Sequence, residues 1–193
     1  MQKPAETAVE IHPLIANRWS PRAYDENYSM SDSEVLAILE AGRWAPSSNN
    51  GQPWAFSVAR RGEDLFRIIS ETALNGFNAA WAPRASAYFV ISTTVLNAEG
   101  NPYKPAHFDA GLAAMSMVLQ AESLGLATHQ IGGFKADELS EALGLAGKNL
   151  APTIVITIGK AASPDILEGG AHEREVGPRS RKPLDEIVIH GLP

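Results

Sequence analysis

The spacing of apolar residues along the chain alternates between helical and strand periods. Residues 31–34, Ser-Asp-Ser-Glu, form a capping-box pattern, and the apolar positions after them keep helical spacing until Pro46. The pattern predicts three further helices, over Asp64 to Leu74, over Pro105 to Leu124 with its end near Gly125, and over Asp137 to Leu143. Four helices are therefore expected along the chain.

Four other segments have the composition of strands. Trp54, Phe56 and Val58 alternate with smaller or polar residues, as in a half-buried strand. The other three are Ala85 to Val95, whose β-branched and aromatic residues fit a central strand, Ala127 to Ile131, and Pro152 to Gly159. Because strands and helices are interleaved, the pattern predicts a sheet with helices on both faces.

The longest predicted helix carries two sets of apolar residues. Its large residues recur at intervals of four, three and four: Phe108, Leu112, Met115 and Leu119. Its small residues permit close helix contact: Ala110, Gly111, Ala113 and Ala114. Such a helix fits either the centre of a dimer interface or ordinary packing within one chain, and the pattern alone leaves both open.

Composition predicts one domain over residues 1–193. With 45% hydrophobic residues and no linker or repeat, the chain can bury a substantial core, and about residues 1–12 are expected to form a flexible extension. Apolar runs are strand-sized, and Met1 to Glu10 lacks the apolar segment of a signal peptide. A cytoplasmic protein without a membrane segment is therefore expected.

Several kinds of chemistry are excluded by residue content. The chain has no cysteine, which removes disulfides, thiolate nucleophiles and cysteine-ligated metals, so any redox reaction needs a bound cofactor. The five histidines show no metal-ligand spacing, and no metal site is expected. A net charge of −6 argues against a general nucleic-acid surface.

Residues 46–54, Pro-Ser-Ser-Asn-Asn-Gly-Gln-Pro-Trp, concentrate hydrogen-bonding side chains between a predicted helix and a predicted strand. Clusters of Ser, Asn, Gly and Pro usually form connections with no further role. The alternative is a binding loop for a flat ligand rich in heteroatoms, because Pro46 and Pro53 restrict the backbone at either end.

Two basic segments favour the binding interpretation. Arg18-Trp19-Ser20-Pro21-Arg22 places two guanidinium groups around a hydroxyl, and Arg179-Ser180-Arg181-Lys182 follows near the other terminus. Arginine binds phosphate oxygens through a planar fork of donors, so the first segment indicates a nucleotide-like cofactor. The second segment, taken alone, is more typical of a solvated tail, because runs of charge usually form exposed surfaces.

These three segments together resemble the FMN-dependent nitroreductase family, over about Ile15 to Ile189. Ile131-Gly132-Gly133-Phe134 is similar to a fourth landmark of the family, the turn beside the flavin ring. The resemblance implies an α+β, three-layer fold, with a central mixed, mostly antiparallel sheet flanked by helices. It also implies an intertwined homodimer whose terminal extensions embrace the partner.

The resemblance implies particular roles for the basic segments. The residues expected to bind FMN there are Arg18, Trp19, Ser20, Arg22, Arg179 and Arg181. Arg18, Arg179 and Arg181 would neutralise the phosphate, while Ser20 would bind the phosphate or the ribityl chain. Arg22 would lie near the pyrimidine edge of the flavin, where a positive charge favours the reduced anionic ring.

The loop and the turn complete the expected site. The loop residues expected to contact the flavin from the other subunit are Pro46, Ser47, Ser48 and Asn50. Asn78 would hydrogen-bond the pyrimidine ring. Gly133 would donate its main-chain N–H to flavin N5, with Ile131 and Gly132 beside it. Positive φ in a tight turn is the other reason for glycine at these positions.

Two positions depart from the family pattern. Trp81 stands where some members carry a lysine near the flavin, and either shapes the cavity above the ring or packs in the core. Gly132 stands where some relatives carry glutamate, and it preserves a main-chain contact.

The expected activity follows from the cofactor. FMN would take hydride from NADH or NADPH and pass it from N5 to a nitroaromatic, a quinone or a similar small acceptor by a ping-pong mechanism, so no catalytic side chain is required. The alternatives are another reaction on the same fold, such as dehalogenation or enal reduction, a flavin-binding module without turnover, and an unrelated phosphate-binding protein.

Overall fold

The computed structural model describes residues 3–192. Its centre is a sheet of four strands: β1 (Trp54–Arg60), β2 (Ala87–Thr94), β3 (Ala127–Ile131) and β4 (Leu150–Gly159). They lie in the order β1-β2-β4-β3, and each neighbouring pair is antiparallel. β1 and β3 are therefore the two edges of the sheet, and the predicted central strand, β2, lies in its interior.

Eight α-helices surround the sheet in the described part of the chain. They are α1 (Pro13–Asn17), α2 (Asp32–Arg43), α3 (Asp64–Ile68), α4 (Gly76–Ala79), α5 (Ala106–Ser123), α6 (Ala136–Ala142), α7 (Gly169–Val176) and α8 (Leu184–Ile187). The four predicted helices correspond to α2, α3, α5 and α6. The short helices α1, α4, α7 and α8 were not predicted.

The helix predicted over Asp64 to Leu74 changes geometry halfway. After α3 it widens into a π-helical turn, Ile69–Ala73. Ser70 Oγ and Thr72 Oγ1 donate to the carbonyls four residues earlier, at 2.8 and 2.7 Å. Such side-chain bonds add a second donor to carbonyls of the helix and commonly bend it.

Alternate residues of β2 enter two separate cores. Tyr88 and Val90 pack in one core, beneath α3, the π turn and α6, while Phe89 and Ile91 pack in the other, beneath α2 and α5. A strand buried on both faces has this alternation, because successive side chains point to opposite sides of the sheet. The result is three layers, helices, sheet and helices, as expected.

The helices α2 and α5 form the tightest pair of helices. Ser31 Oγ accepts from the Glu34 N–H at 3.3 Å and Glu34 Oε2 accepts from the Ser31 N–H at 2.8 Å, which confirms the predicted capping box of α2. A Cβ on Gly42 would lie 2.3 Å from Met117 Cε, so glycine allows α2 to approach α5. Gly125, at φ 67°, follows the end of α5.

The two apolar sets of α5 have different surroundings. Ala110 and Ala113 are buried, and Ala110 packs in the core with residues of α2, whereas Gly111 is exposed. Of the large residues, Phe108 is 72% exposed and Met115 40% exposed, while Leu112 and Leu119 are half-buried. The exposed face of α5 therefore carries Phe108 and Met115 together with Gly111.

The N-terminal segment lies against the C-terminal part of the chain. Lys3 Nζ donates to the carbonyls of Glu175 and Gly177, and the Ala5 N–H donates to the Ala16 carbonyl at 2.8 Å. None of the helices among residues 3–192 combines the length and apolar character needed to cross a membrane.

Candidate functional site

The segment 18–22 lies beside the edge strand β3. Arg18 Nη1 donates to Ser20 Oγ at 3.2 Å, and that hydroxyl donates to Gln130 Oε1 at 3.4 Å. On the next residue of β3, His129 Nδ1 lies 3.0 Å from the Ser20 carbonyl and 3.1 Å from the Pro21 carbonyl. Side chains of β3 thus fix the position of this segment.

His129 is a support that the sequence pattern did not reveal. Carbonyls accept only, so Nδ1 carries a proton and donates to Ser20 and Pro21. Burial, together with the charge of Arg22, lowers the pKa of His129 from 6.5 to about 4, against the opposing effect of the two backbone hydrogen bonds. The imidazole is therefore neutral at pH 7, and it acts as a brace.

Arg18, Arg179 and Arg181 lie near one another, and Glu122 acts on Arg18 only from beyond salt-bridge distance. Arg179 donates from Nη2 to the Arg18 carbonyl and from Nη1 to the Ala16 carbonyl, each at 3.0 Å, so it chiefly braces the segment. Burial first, and then the charges of Arg179 and Arg181, lower the pKa of Arg18. Among residues 3–192 no carboxylate lies within 4.0 Å of these three guanidinium groups. Such a cluster suits a bound dianion.

Arg22 is positioned by a buried glutamate on α7. The Arg22 and Ala23 N–H groups donate to the two carboxylate oxygens of Glu175 at 2.8 and 3.1 Å, and Arg22 Nη1 lies 4.0 Å from Oε2. Burial lowers the pKa of Arg22, Glu175 opposes this, and Arg174 adds to it. Arg22 Nε is buried with no hydrogen-bond partner among residues 3–192, which leaves one donor for a ligand.

The predicted glycine turn follows β3 directly. The Gly133 carbonyl accepts from Asn75 Nδ2 at 2.7 Å and from Asn78 Nδ2 at 3.1 Å, so Asn78 lies at the turn. Neither Gly132 nor Gly133 has a positive φ, and the explanation of these glycines by positive φ is therefore wrong. A Cβ on Gly133 would lie 3.0 Å from Asn75 Nδ2, so close approach is what requires glycine there.

Ile131, the last residue of β3, has only 2% of its surface exposed and packs in the core. It can therefore contribute only its main chain to a site. Trp81 is fully buried, and its ring lies 6.4 Å from Tyr24 and 4.6 Å from His129. The core interpretation of Trp81 is the one that the structure supports.

Trp19 lines a cavity of about 320 Å³, together with Asn17 and Pro21. Lys3 Nζ lies 4.8 Å from the centre of the Trp19 ring.

The polar loop adopts an uncommon backbone conformation. Asn49, Asn50 and Gln52 have φ values of 50°, 55° and 45°, in the left-handed region. Ser47 Oγ accepts from the Gln52 N–H at 3.0 Å, and Asp109 Oδ2 accepts from the Ser48 N–H at 3.1 Å. The loop is thus anchored to the first turn of α5, with its polar side chains largely exposed.

The predicted site residues form two groups in one chain. Arg18, Ser20, Arg22, Asn78 and Gly133 lie together beside β3, and we call them the arginine half-site. Residues 46–52, the loop half-site, precede β1 at the opposite edge of the sheet. Within one chain the two half-sites do not meet.

The length of α5 gives the scale of this separation. Asp109, which holds the loop, and Glu122, which acts electrostatically on Arg18, are thirteen residues apart on this helix. Thirteen residues correspond to about 20 Å along a helix axis. The two half-sites therefore lie near opposite ends of α5.

Comparison with known proteins agrees with this arrangement. Residues 15–89 and 67–160 match the profile of the nitroreductase family. The chain belongs to the nitroreductase family. A predicted NADH dehydrogenase/NAD(P)H nitroreductase of Archaeoglobus fulgidus is 31% identical over 154 residues, which cover 78% of this chain and 84% of the relative. The predicted NAD(P)H nitroreductase YdgI of Bacillus subtilis is 29% identical over 185 residues, covering 77% and 87%.

Solved structures share the nitroreductase fold of this chain. The crystal structure of an oxidoreductase containing FMN superposes with a TM-score of 0.88 at 33% identity, and covers 97% of this chain and 94% of the other. A predicted nitroreductase of Exiguobacterium sibiricum, solved in complex with FMN, has a TM-score of 0.77 at 24% identity, with 96% and 99% covered. The predicted α+β, nitroreductase-like fold is confirmed.

Four supports of this nitroreductase site were missed by sequence reasoning. They are Asp109, His129, Gln130 and Glu175. Each acts through a hydrogen bond to a residue more than 60 positions away in the sequence. A local sequence pattern cannot predict a contact of that kind. Asp109 carried one usable signal, a carboxylate on a face of the predicted long helix that is otherwise apolar or small.

Proposed function

We propose that this protein is an FMN-dependent oxidoreductase that uses NADH or NADPH to reduce a nitroaromatic, a quinone or a similar small acceptor by a ping-pong mechanism. The observation that carries the proposal is the cluster of Arg18, Arg179 and Arg181, which lacks a carboxylate partner within residues 3–192 and lies on the same sheet edge as the Gly132–Gly133 turn. The relatives named as NAD(P)H nitroreductases support the donor.

The residues present fit FMN. Arg18, Arg181 and Ser20 would hold the phosphate, and Arg179 would keep the Arg18 main chain in place through its two carbonyl contacts. Arg22, with its unpartnered Nε, would donate toward the pyrimidine edge, near Asn78. The main-chain N–H of Gly133 is the group we assign to flavin N5.

Bound FMN would supply the redox chemistry, accepting hydride from the nicotinamide and passing it to the acceptor. The protein itself would then bind FMN and the two substrates and orient them for the reaction. His129 stays neutral and engaged with two carbonyls, so it holds no proton for delivery at pH 7. Protons would come from water at the open site.

The complete site would be formed by a homodimer of single-domain subunits, with residues 1–193 as one domain and the first dozen residues as its extension. The half-sites of one chain lie about 20 Å apart along α5, and Phe108 beside the loop is 72% exposed. A two-fold partner would place its Ser47, Ser48 and Asn50 at the flavin of this chain. Use of NADH or NADPH would place the reaction in the cytoplasm.

The proposal is tested by anaerobic spectroscopy of the purified protein after addition of FMN. We expect a bound-flavin spectrum, bleaching of the flavin band by NADH or NADPH, and its return when a nitroaromatic or a quinone is added. A protein that binds FMN but leaves it oxidised with either nicotinamide would be a flavin-binding module. Absence of FMN binding would overturn the cofactor itself.

A further inference from the structure

An aromatic ring with two guanidinium groups lies on the surface beside the arginine half-site. Phe77, on α4, is 39% exposed. The guanidinium carbon of Arg174, on α7, lies 4.5 Å from the centre of the Phe77 ring, and that of Arg22 lies 5.9 Å from it. We call these three residues the Phe77 ledge.

The ledge borders the turn at which a substrate would react. Asn78, the next residue after Phe77, donates to the Gly133 carbonyl at 3.1 Å. Phe77 and Asn78 are consecutive residues of α4, so the ledge and the turn are held by the same short helix. The ring is a flat apolar surface, suited to stacking with another flat ring.

The two arginines of the ledge differ in how closely a carboxylate approaches them. Glu175 lies 4.0 Å from Arg22 and also binds its main chain. Arg174 is exposed, and within residues 3–192 no carboxylate lies within 4.0 Å of its guanidinium. Arg174 and Arg22 also repel each other, an effect that adds to burial in lowering the pKa of Arg22. An anion bound at the ledge would relieve this repulsion.

We infer that the Phe77 ledge selects electron acceptors that carry a carboxylate on a flat aromatic ring, with the ring against Phe77 and the carboxylate on Arg174. The inference rests on the proposed function, and it names the substrate class of the same site. One uncompensated guanidinium matches one carboxylate through a bidentate contact. The phosphates of a nicotinamide dinucleotide carry at least two charges, so we assign the ledge to the acceptor instead of the donor.

The kinetic test compares two acceptors of nearly the same shape. 4-Nitrobenzoate carries the carboxylate and 4-nitrobenzamide is its neutral counterpart, and kcat/KM is measured for both with the FMN-loaded protein. We expect the native chain to prefer the carboxylate by about threefold to tenfold, as for a partly exposed charged contact. Arg174→Gln should abolish this preference, Arg174→Lys should keep part of it, and Arg174→Glu should reverse it.

The matched control is Arg67→Gln. Arg67 is an exposed arginine on α3 that pairs with Asp64 and Glu71, and it belongs to no part of the site. This variant should keep the native preference. A preference unchanged in Arg174→Gln, an equal loss with both acceptors, or a change confined to the KM of NADH or NADPH would each overturn the inference.

A binding measurement tests the role of the ledge independently of turnover. Benzoate and benzamide cannot be reduced as nitro compounds are, so calorimetric titration with each reports the ledge alone. Benzoate should bind more tightly than benzamide, and Arg174→Gln should remove the difference. If the native protein reduces neither of the two nitroaromatics nor a quinone, the proposed function fails. If Arg174→Gln leaves the affinity for benzoate unchanged, the ledge inference fails, whether or not the protein reduces either acceptor.

Discussion

Asp109 Oδ2 accepts a hydrogen bond from the main-chain N–H of Ser48 at 3.1 Å, and this contact anchors the polar loop to α5. The Asp109 side chain is almost fully buried, with 1% of the residue exposed. The backbone adopts left-handed conformations immediately after Ser48. The hydrogen bond from Ser48 to Asp109 therefore lies next to the strained part of the loop.

Replacement of Asp109 should loosen the loop. In Asp109→Ala the Ser48 N–H loses its acceptor, and we expect the free energy of unfolding to fall by about 1–3 kcal/mol. Urea denaturation measures this fall. Asp165→Ala, at an exposed carboxylate of a surface turn, is the control and should change stability by less than about 0.5 kcal/mol. Equal losses in the two variants would contradict the anchoring role.

The stability of the protein should depend on pH through His129. The pKa of this histidine is about 4 in the fold, against 6.5 for the free side chain, so the unfolded chain binds its proton first as pH falls. Its contribution is fully present above pH 6.5 and declines between pH 6.5 and pH 4, by up to about 3 kcal/mol.

The comparison of native protein with His129→Gln isolates this effect. Carboxylates also titrate in this range, but they do so in both proteins. The free energy of unfolding of the native chain should fall more steeply from pH 6.5 to pH 4 than that of the variant. His107→Gln, at an exposed histidine on α5, should retain the native slope. If the free energy of unfolding falls equally steeply with pH in the native protein and in His129→Gln, His129 does not cause the pH dependence.

The two glycines of the turn should respond differently to the same change. In Gly133→Ala the new Cβ would lie 3.0 Å from Asn75 Nδ2, which must move away from the Gly133 carbonyl. We expect a loss of about 1 kcal/mol in stability and a weaker affinity for FMN. Gly132→Ala meets its nearest atom at 4.0 Å and should be tolerated in both measurements. The opposite ranking would remove Gly133 from the site.

Arg18 and Arg181 should recognise the phosphate of FMN and not its ring. Arg18→Ala and Arg181→Ala are each expected to weaken FMN binding by about 1.5–3 kcal/mol, because a charged hydrogen bond is lost. Riboflavin lacks the phosphate, so its affinity should be the same in the variants and in the native protein. Fluorescence titration with both ligands measures the two affinities. Equal weakening with FMN and riboflavin would place the arginines away from the phosphate.

Mixed dimers test whether the loop serves the other chain. Arg18→Ala damages one half-site, and Asn50→Gly removes an amide from the other while allowing the same φ. When the two variants are co-expressed, random pairing should restore about one quarter of the FMN sites, since each mixed dimer regains one intact site. If each loop served its own chain, no site would recover. The two single-variant homodimers provide the baselines.

The sequence predicted local structure well because its signals are local. The capping box at Ser31, the alternation from Trp54 and the glycine after α5 each act within a few residues, and each element was found where expected. The change to a π turn after Ile68 depends on side-chain bonds within the helix, and it was not predicted. Trp81 could not be assigned from its position, because burial is a property of the packed molecule.

The chemistry of the site was predictable only in part. Arg18 and Ser20 were selected from a motif and Asn78 from its position in the chain, and the structure places all three beside β3. His129 and Glu175 could not be identified, since they act through contacts that span more than 100 residues of chain. The distance between the loop and the arginines is likewise set by the length of α5 and by the strand order, which no motif specifies.

The placement of glycine in the polar loop has a consequence for protein engineering. Gly51 has φ −71° and is required for space, since a Cβ there would lie 2.3 Å from Tyr103 Oη. The positive φ values belong to Asn49, Asn50 and Gln52 instead. A stabilising redesign guided by backbone statistics would introduce glycine at these three positions. It would relax the turn, and at Asn50 the same substitution would remove an amide group that we propose contacts the flavin.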